Sequence, residues 1–246
     1  MRVRQIAEIL GRYDAADLDQ TIHPEDGMWL GGEKWYWSVG RSGLECVLAG
    51  LLGSWQQDEP QSMLDLGCGH GRVGRHLRAA FSGTQFYWCD LTGADFCAER
   101  FGGYAIKSSR DPLSLNLPMV DAVWIGSLFT HLTEAMARQW LARAAACLRP
   151  EGVLVATFHG RTSIELYRRT QSAPAAQVDR VERGCLEHGW GYDAYDPATD
   201  PEWGFSMTSL PRLADVAANI KGTRIAGIVE GGWAGNHDVL TLVRRG

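Results

Sequence analysis

Residues 64–72 read Leu-Asp-Leu-Gly-Cys-Gly-His-Gly-Arg, and this stretch decides the fold. The apolar residues 63–66 predict a strand that carries an acid at Asp65 and runs into alternating glycines. These glycines are Gly67, Gly69 and Gly71. Glycine tolerates positive φ and lets a ligand approach the backbone, and the free N–H groups at the start of the following helix favour an anionic group. The stretch therefore predicts a strand–loop–helix cradle for a nucleotide.

A second acid follows where a ribose-binding residue is expected. The apolar run 85–90 predicts the next strand and ends in Asp90, about 20 residues after the glycines. The residues alone leave two other interpretations open. The segment from Gly69 to Gly74 also fits the G-x-G-x-x-G dinucleotide fingerprint, and a glycine-rich turn can be purely structural. In that fingerprint the first glycine closes the strand, whereas Gly67 closes it here, so the spacing argues against a dinucleotide site.

The spacing Asp65-x-Gly67-x-Gly69-x-Gly71, with Asp90 ending the next strand, resembles the S-adenosylmethionine site of class I methyltransferases. The resemblance implies S-adenosyl-L-methionine as the cofactor. It also implies that Asp65 orders the glycine loop and the amino end of the ligand, and that Asp90 binds the ribose. The implied cofactor-binding residues are Asp65, Gly67, Cys68, Gly69, Gly71, Asp90, Leu91 and Ser127.

Aromatic residues are concentrated in two segments, 29–37 and 190–203. Tyr36 and Arg41 lie in or near the first segment, and we expect them to fold over the cofactor carboxylate. Both segments lie outside the alternating α/β pattern, where acceptor-recognition elements of class I methyltransferases usually sit. Either they form a pocket that stacks on an acceptor, or they attach insertions to the core.

The composition is that of a globular protein. The chain has 246 residues, of which 45% are hydrophobic and 22% charged, and its net charge is −5. The negative charge argues against a broad nucleic-acid interface. The six cysteines form no C-x-x-C pair, and no run of about 18 apolar residues occurs. We therefore expect a soluble, cytoplasmic protein with no membrane segment.

Strand and helix patterns alternate along most of the chain. Strands are expected at 63–66, 85–90, 104–108, 119–125, 152–158, 224–230 and 238–244. This alternation predicts an α/β fold with a mostly parallel, doubly wound sheet and helices on both faces. The resemblance to class I methyltransferases implies a seven-stranded sheet whose last strand is antiparallel.

We expect a single domain that spans residues 1–246 and has four parts. They are an N-terminal helical lid (1–58), a cofactor-binding core (61–160), an acceptor-recognition insertion after the fifth strand (161–207), and a final helix with a β-hairpin (208–246).

Capping signals predict several helix boundaries. The capping residues are Ser42 with Glu45, Thr133, and Thr162 with Glu165. Residues 21–41 contain Gly27, Gly31, Gly32 and Gly40 among aromatic residues and are expected to form a loop. Trp55 is expected on the apolar face of the helix that begins at Ser42, and Pro150 is expected to end the helix that begins at Thr133.

Histidines follow two of the predicted strands. His131 lies between the fourth strand and its helix, and the carboxyl ends of parallel strands face the ligand crevice. A similar Ser-x-Phe-Thr-His-Leu segment occurs in a bacterial subset of class I methyltransferases. We expect His131 and His159, which follows the fifth strand, to be the catalytic candidates, although a structural role stays open for each. Their spacing with His237 matches no metal pattern, so no metal site is expected.

The resemblance implies an S-adenosylmethionine-dependent methyltransferase. We expect O-methylation of a small molecule or of a glycan or secondary-metabolite acceptor. No N-P-P-Y type signature follows the fourth strand, which speaks against DNA bases and glutamine as acceptors. The alternatives are N-methylation of a small molecule, an NAD-dependent oxidoreductase, and a non-catalytic cofactor-binding subunit. No nucleic-acid partner is expected, and a homodimer stays open.

Overall fold

The computed structural model describes residues 3–29, 32–54 and 59–246. Its strands are β1 (Ser62–Leu66), β2 (Gln85–Asp90), β3 (Tyr104–Lys107), β4 (Val120–Ile125), β5 (Leu148–His159), β6 (Trp190–Asp196), β7 (Asp200–Thr208), β8 (Thr223–Trp233) and β9 (His237–Arg244). Seven of them form one sheet in the order β3-β2-β1-β4-β5-β9-β8, and β6 and β7 form a separate hairpin. In the large sheet β9 is antiparallel to β5 and β8, and the other pairings are parallel. The predicted doubly wound sheet with an antiparallel last strand is confirmed.

Helices cover both faces of this sheet. They are α1 (Val3–Ala15), α2 (Glu33–Gly53), α3 (Gly74–Ala80), α4 (Ala94–Phe101), α5 (Glu134–Ala146), α6 (Arg161–Thr170), α7 (Ala175–His188) and α8 (Leu210–Ala218). One hydrophobic cluster contains residues of α1 to α4, and the other contains residues of α5 and α8. Neighbouring residues of β4 alternate between the clusters, as Val123 and Trp124 do, because successive side chains of a strand point to opposite faces.

Helix α2 begins at Glu33, so the predicted loop over residues 21–41 is too long and the predicted helix start at Ser42 is wrong. Gly40, one of the glycines that suggested a loop, is a place of close packing. A Cβ atom on Gly40 would lie 2.3 Å from the carbonyl oxygen of Arg72. Glycine therefore lets α2 lie directly against the segment that follows the glycine loop.

The other helix boundaries are partly as predicted. Thr133 caps α5, since its hydroxyl oxygen accepts a hydrogen bond from the Met136 N–H at 3.3 Å. The helix ends at Ala146 rather than at Pro150, because β5 already begins at Leu148 and carries the proline within the strand. Trp55 lies outside the described residues.

The insertion after β5 is more regular than its sequence suggested. Helix α6 begins at Arg161 after an N-cap at Gly160, and Glu165 pairs with Arg161, so the predicted cap at Thr162 is wrong. The polar region that follows is the amphipathic helix α7, and the second aromatic segment lies mainly in the β6–β7 hairpin. The buried residues of α7 are Val178, Val181 and Cys185.

The N-terminal part combines α1, α2 and a connecting segment of residues 16–29 that contains neither helix nor strand. All six cysteines are buried, and none forms a disulfide. None of the helices in the described ranges combines the length and apolar character that crossing a membrane requires.

Candidate active site

A cavity of about 750 Å³ lies at the carboxyl ends of β1, β2 and β4, which is the usual ligand position in an open parallel sheet. Its wall also includes residues 25–28, the start of α5 and residues 200–203 of β7. Eight of the predicted site residues line it: Asp65, Gly67, Cys68, Gly69, Asp90, Leu91, Ser127 and His131. Four do not: Tyr36, Arg41, Gly71 and His159.

The glycine loop has a backbone that other residues rarely adopt. Gly67, Gly69 and Gly71 have φ values of 81°, 49° and 78°. A Cβ on Gly71 would lie 2.3 Å from a ring carbon of Phe101, so this glycine lets α4 pack against the loop. A Cβ on Gly69 would meet nothing within 4 Å, although Gly69 lines the cavity. The loop thus leaves free space on its cavity side, where a ligand can approach the backbone.

Asp65 belongs to the cavity wall and carries an unpaired carboxylate oxygen. The residue is only 1% exposed, and its Oδ2 atom has no hydrogen-bond partner among the residues that the structure describes. Burial, together with the nearby carboxylate of Asp90, raises the pKa of Asp65 well above its usual range. Buried polar atoms nearly always have a partner. A ligand with a positively charged amino group would supply one here.

Asp90 connects the glycine loop after β1 with the turn after β2. Its Oδ2 accepts a hydrogen bond from the Gly69 N–H at 3.0 Å, and its Oδ1 accepts from the N–H groups of Thr92 and Gly93 at 2.9 and 3.0 Å. Gly93 is required here, because a Cβ would lie 1.9 Å from the carbonyl oxygen of Gly69. A carboxylate has about four lone-pair positions, and Oδ2 has only one donor among the described residues, so Asp90 can also accept from one ribose hydroxyl.

Arg72 also lines the cavity and was not among the predicted site residues, although it directly follows Gly71. Its guanidinium lies 5.2 Å from the ring centre of Trp35 and 5.5 Å from that of Trp233. Burial lowers its pKa. Within the described part of the chain, no carboxylate forms an ion pair with it. A guanidinium in this position suits a ligand carboxylate.

Tyr36 and Arg41 do not reach the cavity. The Tyr36 hydroxyl donates to Oδ2 of Asp26 at 2.6 Å, and it is Asp26 that lines the cavity. Tyr36 therefore supports the wall from behind. Arg41 points to the opposite side, where it pairs with Glu45 and Asp14. The expectation that Arg41 folds over the cofactor carboxylate fails, because α2 turns this residue outward.

The segment of residues 16–29 is held over the glycine loop by a fully buried arginine. Arg75 donates from Nη1 to the carbonyl oxygens of Asp19 and Thr21, and from Nε to that of Gly71. These bonds join the N-terminal segment to the loop, and residues 25–28 thereby close one side of the cavity. No sequence signal points to this contact, since Arg75 binds backbone carbonyls rather than an acid.

Ser127 ends β4 in an unusual backbone conformation. Its φ is 63°, and its N–H donates to the Thr157 hydroxyl at 2.8 Å. A non-glycine residue at positive φ is uncommon and is held by its surroundings. This turn carries the chain from β4 into a single 3₁₀ turn, Phe129–His131, and so directs His131 toward the cavity.

His131 is held in one tautomer by the β6–β7 hairpin. Its Nδ1 lies 3.1 Å from the carbonyl oxygen of Gly204 and 3.0 Å from the hydroxyl oxygen of Tyr195. A carbonyl only accepts, so the hydrogen-bond pattern assigns the proton of the neutral ring to Nδ1 and leaves Nε2 with a free lone pair. Burial lowers the pKa of His131, which favours the neutral ring at pH 7. Its ring also stacks on Trp203, with centres 4.5 Å apart.

His159 lies behind the cavity wall, with both ring nitrogens occupied. Nδ1 donates to the carbonyl oxygen of Ser206 at 3.0 Å, and Nε2 accepts from the Tyr167 hydroxyl at 3.1 Å. Complete burial lowers its pKa to about 3. The structure therefore gives His159 a structural place rather than the expected catalytic one. His237 packs against it, and no metal-binding group of three His, Cys, Asp or Glu residues occurs among the described residues.

Comparison with known proteins agrees with this geometry. Residues 64–154 match a family described as a methyltransferase domain. No curated protein sequence is similar enough to this chain to count as a relative.

Solved structures of methyltransferases share the fold at low identity. A 1,6-didemethyltoxoflavin-N1-methyltransferase from Burkholderia thailandensis has a TM-score of 0.57 at 15% identity, with 100% of this chain and 92% of that chain covered. The plantazolicin methyltransferase has a TM-score of 0.59 at 13% identity, with 99% of each chain covered. An O-methyltransferase family protein from B. thailandensis has a TM-score of 0.54 at 16% identity over 84% of this chain. This chain spans only 57% of the length of that last protein.

Three observations indicate the same fold. They are the strand order, the glycine loop between β1 and α3, and the family match over residues 64–154. The chain has the fold of class I, Rossmann-like methyltransferases, and its residues 64–154 match the methyltransferase domain family.

Proposed function

We propose that this protein transfers a methyl group from S-adenosylmethionine to a hydroxyl group of a small-molecule acceptor. The observation that carries the cofactor assignment is the buried Oδ2 of Asp65, which has no partner among the described residues although Asp65 belongs to the cavity wall. A buried carboxylate without a partner is unfavourable in the empty protein. The α-amino group of the cofactor is the partner that fits it.

The remaining polar groups of this end divide among the other parts of the cofactor. Arg72 would bind the methionine carboxylate, and Asp90 would accept hydrogen bonds from the ribose. Leu91 is 48% exposed at the cavity mouth, where it would cover the adenine. The remaining loop and strand-end residues would contact the cofactor mainly through their backbones: Gly67, Cys68, Gly69 and Ser127.

When bound, the cofactor supplies a methyl group that is already activated on a sulfonium, so the protein mainly aligns the reactants and excludes water. An acceptor hydroxyl must lose its proton as the new carbon–oxygen bond forms and the carbon–sulfur bond breaks. His131 Nε2 has the free lone pair for this proton. Transfer leaves a neutral thioether, a methyl ether and a protonated His131, which then releases its proton to water.

The acceptor end of the cavity is largely apolar. Its apolar residues include Met28, Leu132, Met136, Trp140 and Trp203. Such a lining favours a compact apolar or aromatic molecule with a hydroxyl group over a hydrophilic glycan. Among the expected acceptors, the small molecule is therefore the one we propose.

A second candidate is N-methylation of a small molecule. Two observations favour it. The structural alignment with the 1,6-didemethyltoxoflavin-N1-methyltransferase covers almost the full length of both chains. A neutral His131 can also accept a proton from a ring N–H.

The cofactor assignment is tested with Asp65→Asn, measured by calorimetry with S-adenosylhomocysteine. Loss of the charge should weaken binding by about tenfold or more, as for hydrogen bonds between charged groups. The melting temperature of the ligand-free protein should stay the same or rise, because the variant lacks a buried carboxylate without a partner. Asp95→Asn, at an exposed position of α4, is the matched control and should change neither quantity.

Normal affinity in Asp65→Asn, or a preference of the native protein for NAD, would remove the cofactor assignment. Release of S-adenosylhomocysteine is then measured with a panel of phenols, alcohols and heteroaromatic N–H compounds. Turnover only with N–H compounds would select the second candidate. Cofactor binding without turnover on any of them would favour a non-catalytic subunit.

A further inference from the structure

We propose that Tyr195 is a positioning residue for His131, and that the β6–β7 hairpin thereby completes the catalytic group. The Tyr195 hydroxyl and the Gly204 carbonyl together hold the Nδ1 proton of His131, which keeps Nε2 free toward the acceptor. This inference rests on the proposed role of His131 as the base.

The geometry leaves one consistent proton arrangement around Nδ1. The Tyr195 hydroxyl oxygen lies 3.0 Å from this nitrogen, and the Gly204 carbonyl oxygen lies 3.1 Å from it. If Nδ1 were unprotonated, its lone pair would face the carbonyl oxygen, and that pair of acceptors would repel. The proton therefore lies on Nδ1 and is shared between both oxygens, and the Tyr195 hydroxyl acts as an acceptor.

The position of the Gly204 carbonyl is fixed by close packing in the hairpin. A Cβ on Gly204 would lie 2.3 Å from the carbonyl oxygen of Asp193 on the neighbouring strand. Only glycine lets β6 and β7 approach this closely. The carbonyl that accepts from His131 is thus placed by a residue that tolerates no side chain.

The hairpin is attached to the core on both sides of His131. The backbone of Leu132 forms an antiparallel bridge with that of Trp203. The Ser206 hydroxyl donates to the carbonyl oxygen of Phe129 at 2.8 Å. Because these contacts flank the histidine, the hairpin cannot shift without turning the imidazole.

The shared proton matters most once His131 has accepted a second proton. The ring is then a cation in a largely buried place, and burial disfavours the charge. Hydrogen bonds to a charged donor are stronger than those to a neutral one. The oxygens of Tyr195 and Gly204 therefore stabilise the protonated ring more than the neutral ring, and they make Nε2 a better base.

The direct test is Tyr195→Phe, followed by NMR titration of the His131 ring in the full chain with bound S-adenosylhomocysteine. Losing one acceptor should lower the pH at which His131 titrates by roughly half a unit or more. The nearby histidines, His159 and His237, have strongly lowered pKa values and stay neutral through this range. Glu202 also lines the cavity, but it is present in all variants, so its effect on the His131 titration is the same in each.

Tyr192→Phe is the matched control. The Tyr192 hydroxyl donates to the carbonyl oxygen of Pro201 at 2.9 Å within the same hairpin, away from His131. This variant loosens the hairpin to a similar degree and should leave the His131 titration unchanged. With an acceptor from the turnover screen, Tyr195→Phe should lower kcat by about tenfold and move the acid limb of the rate profile to lower pH. Tyr192→Phe should do neither.

An unchanged His131 titration in Tyr195→Phe would overturn the positioning role, and so would equal shifts in both variants. Adding Tyr195→Phe to His131→Ala should lower turnover no further, because the group that Tyr195 positions is already absent. A further loss would mean that Tyr195 acts on its own. Failure of the proposed function looks different, since no acceptor would then be methylated although the titration shift remained.

Discussion

The two ends of the cavity are assembled from different parts of the chain. At the proposed cofactor end, Asp90 accepts from the Gly69 N–H, and the two residues are 21 positions apart. At the proposed acceptor end, Nδ1 of His131 lies within hydrogen-bond distance of Tyr195 and Gly204, which are 64 and 73 positions away. The first arrangement belongs to one strand–loop–helix–strand unit. The second exists only after the insertion has packed on the core.

Because of this difference, we expect mutations at one end of the cavity to have different effects from mutations at the other. The cofactor end is fixed by backbone geometry, in which Gly71 and Gly93 tolerate no side chain. The acceptor end depends on one imidazole whose orientation comes from hydrogen bonds to a hairpin. Altering the hairpin should therefore change the chemistry at His131 and leave the cofactor site intact, whereas altering the loop should remove cofactor binding altogether.

The largest expected effect is at the loop. Gly69→Val should abolish binding of S-adenosylhomocysteine, because the new side chain would fill the space that the ligand needs. The protein should still fold, since a Cβ at this position meets nothing within 4 Å. Valine at a positive φ is strained by on the order of 1–3 kcal/mol, so the melting temperature should fall modestly. Calorimetry and thermal unfolding measure the two effects.

Gly235→Val is the matched control for this change. Gly235 also has a positive φ, 66°, and open space at its Cβ, but it lies in the turn between β8 and β9, outside the cavity wall. It should show a similar loss of stability and normal cofactor affinity. If both variants bind equally well, the glycine loop is not the cofactor cradle.

The geometry of the proposed cofactor end could be predicted because its signals are adjacent in the sequence. The acid in β1, the alternating glycines and Asp90 all lie within one local unit, and Arg72 directly follows that motif. The interpretation failed for Arg41, because its position depends on where α2 begins. Gly40 suggested a loop, although it is a packing position inside the helix.

The acceptor end could be predicted only in part. The place of His131 after β4 follows from the rule for strand ends. Its tautomer, however, depends on the backbone carbonyl of Gly204. Every residue has such a carbonyl, so the sequence does not indicate which one accepts from His131. His159 also follows a strand, but the oxygens of Ser206 and Tyr167 occupy both its nitrogens. Nothing local distinguishes these two histidines.

That distinction between the histidines gives the second prediction. His131→Ala should lower turnover on the order of 10²–10⁴-fold, the usual contribution of a positioned base, with affinity for S-adenosylhomocysteine within a few-fold. His159→Ala should instead lower the melting temperature and leave turnover close to normal, because it removes two buried hydrogen bonds outside the cavity. Kinetics with the identified acceptor, calorimetry and thermal unfolding separate the two patterns.

Parallel losses of affinity and rate in His131→Ala would place this histidine in the cofactor site and weaken the division between the two ends. A strong loss of turnover in His159→Ala at unchanged stability would show that the cavity reaches further behind β5 than the structure shows.

The smallest expected effect is the pH dependence of stability, and it compares the two regions through their buried histidines. Burial lowers the pKa of His159, beside the insertion, to about 3, and that of His76, on α3 against α2, to about 4. An unfolded histidine has a pKa of about 6.5. The folded-state pKa is thus the lower one, so the unfolded chain binds more protons, and the stability present above pH 6.5 is lost as the pH falls toward 3 or 4. At pH 5.5 each histidine should lower the free energy of unfolding by about 1.4 kcal/mol relative to high pH.

Urea unfolding at pH 7.5 and 5.5 measures this difference, which His159→Gln should reduce by about 1.4 kcal/mol. Tyr167→Phe keeps the imidazole buried while removing the donor to its Nε2, so it should preserve the pH dependence if burial is the cause. If His159→Gln leaves the pH dependence unchanged, His159 is hydrated and the contact between insertion and core is looser than described.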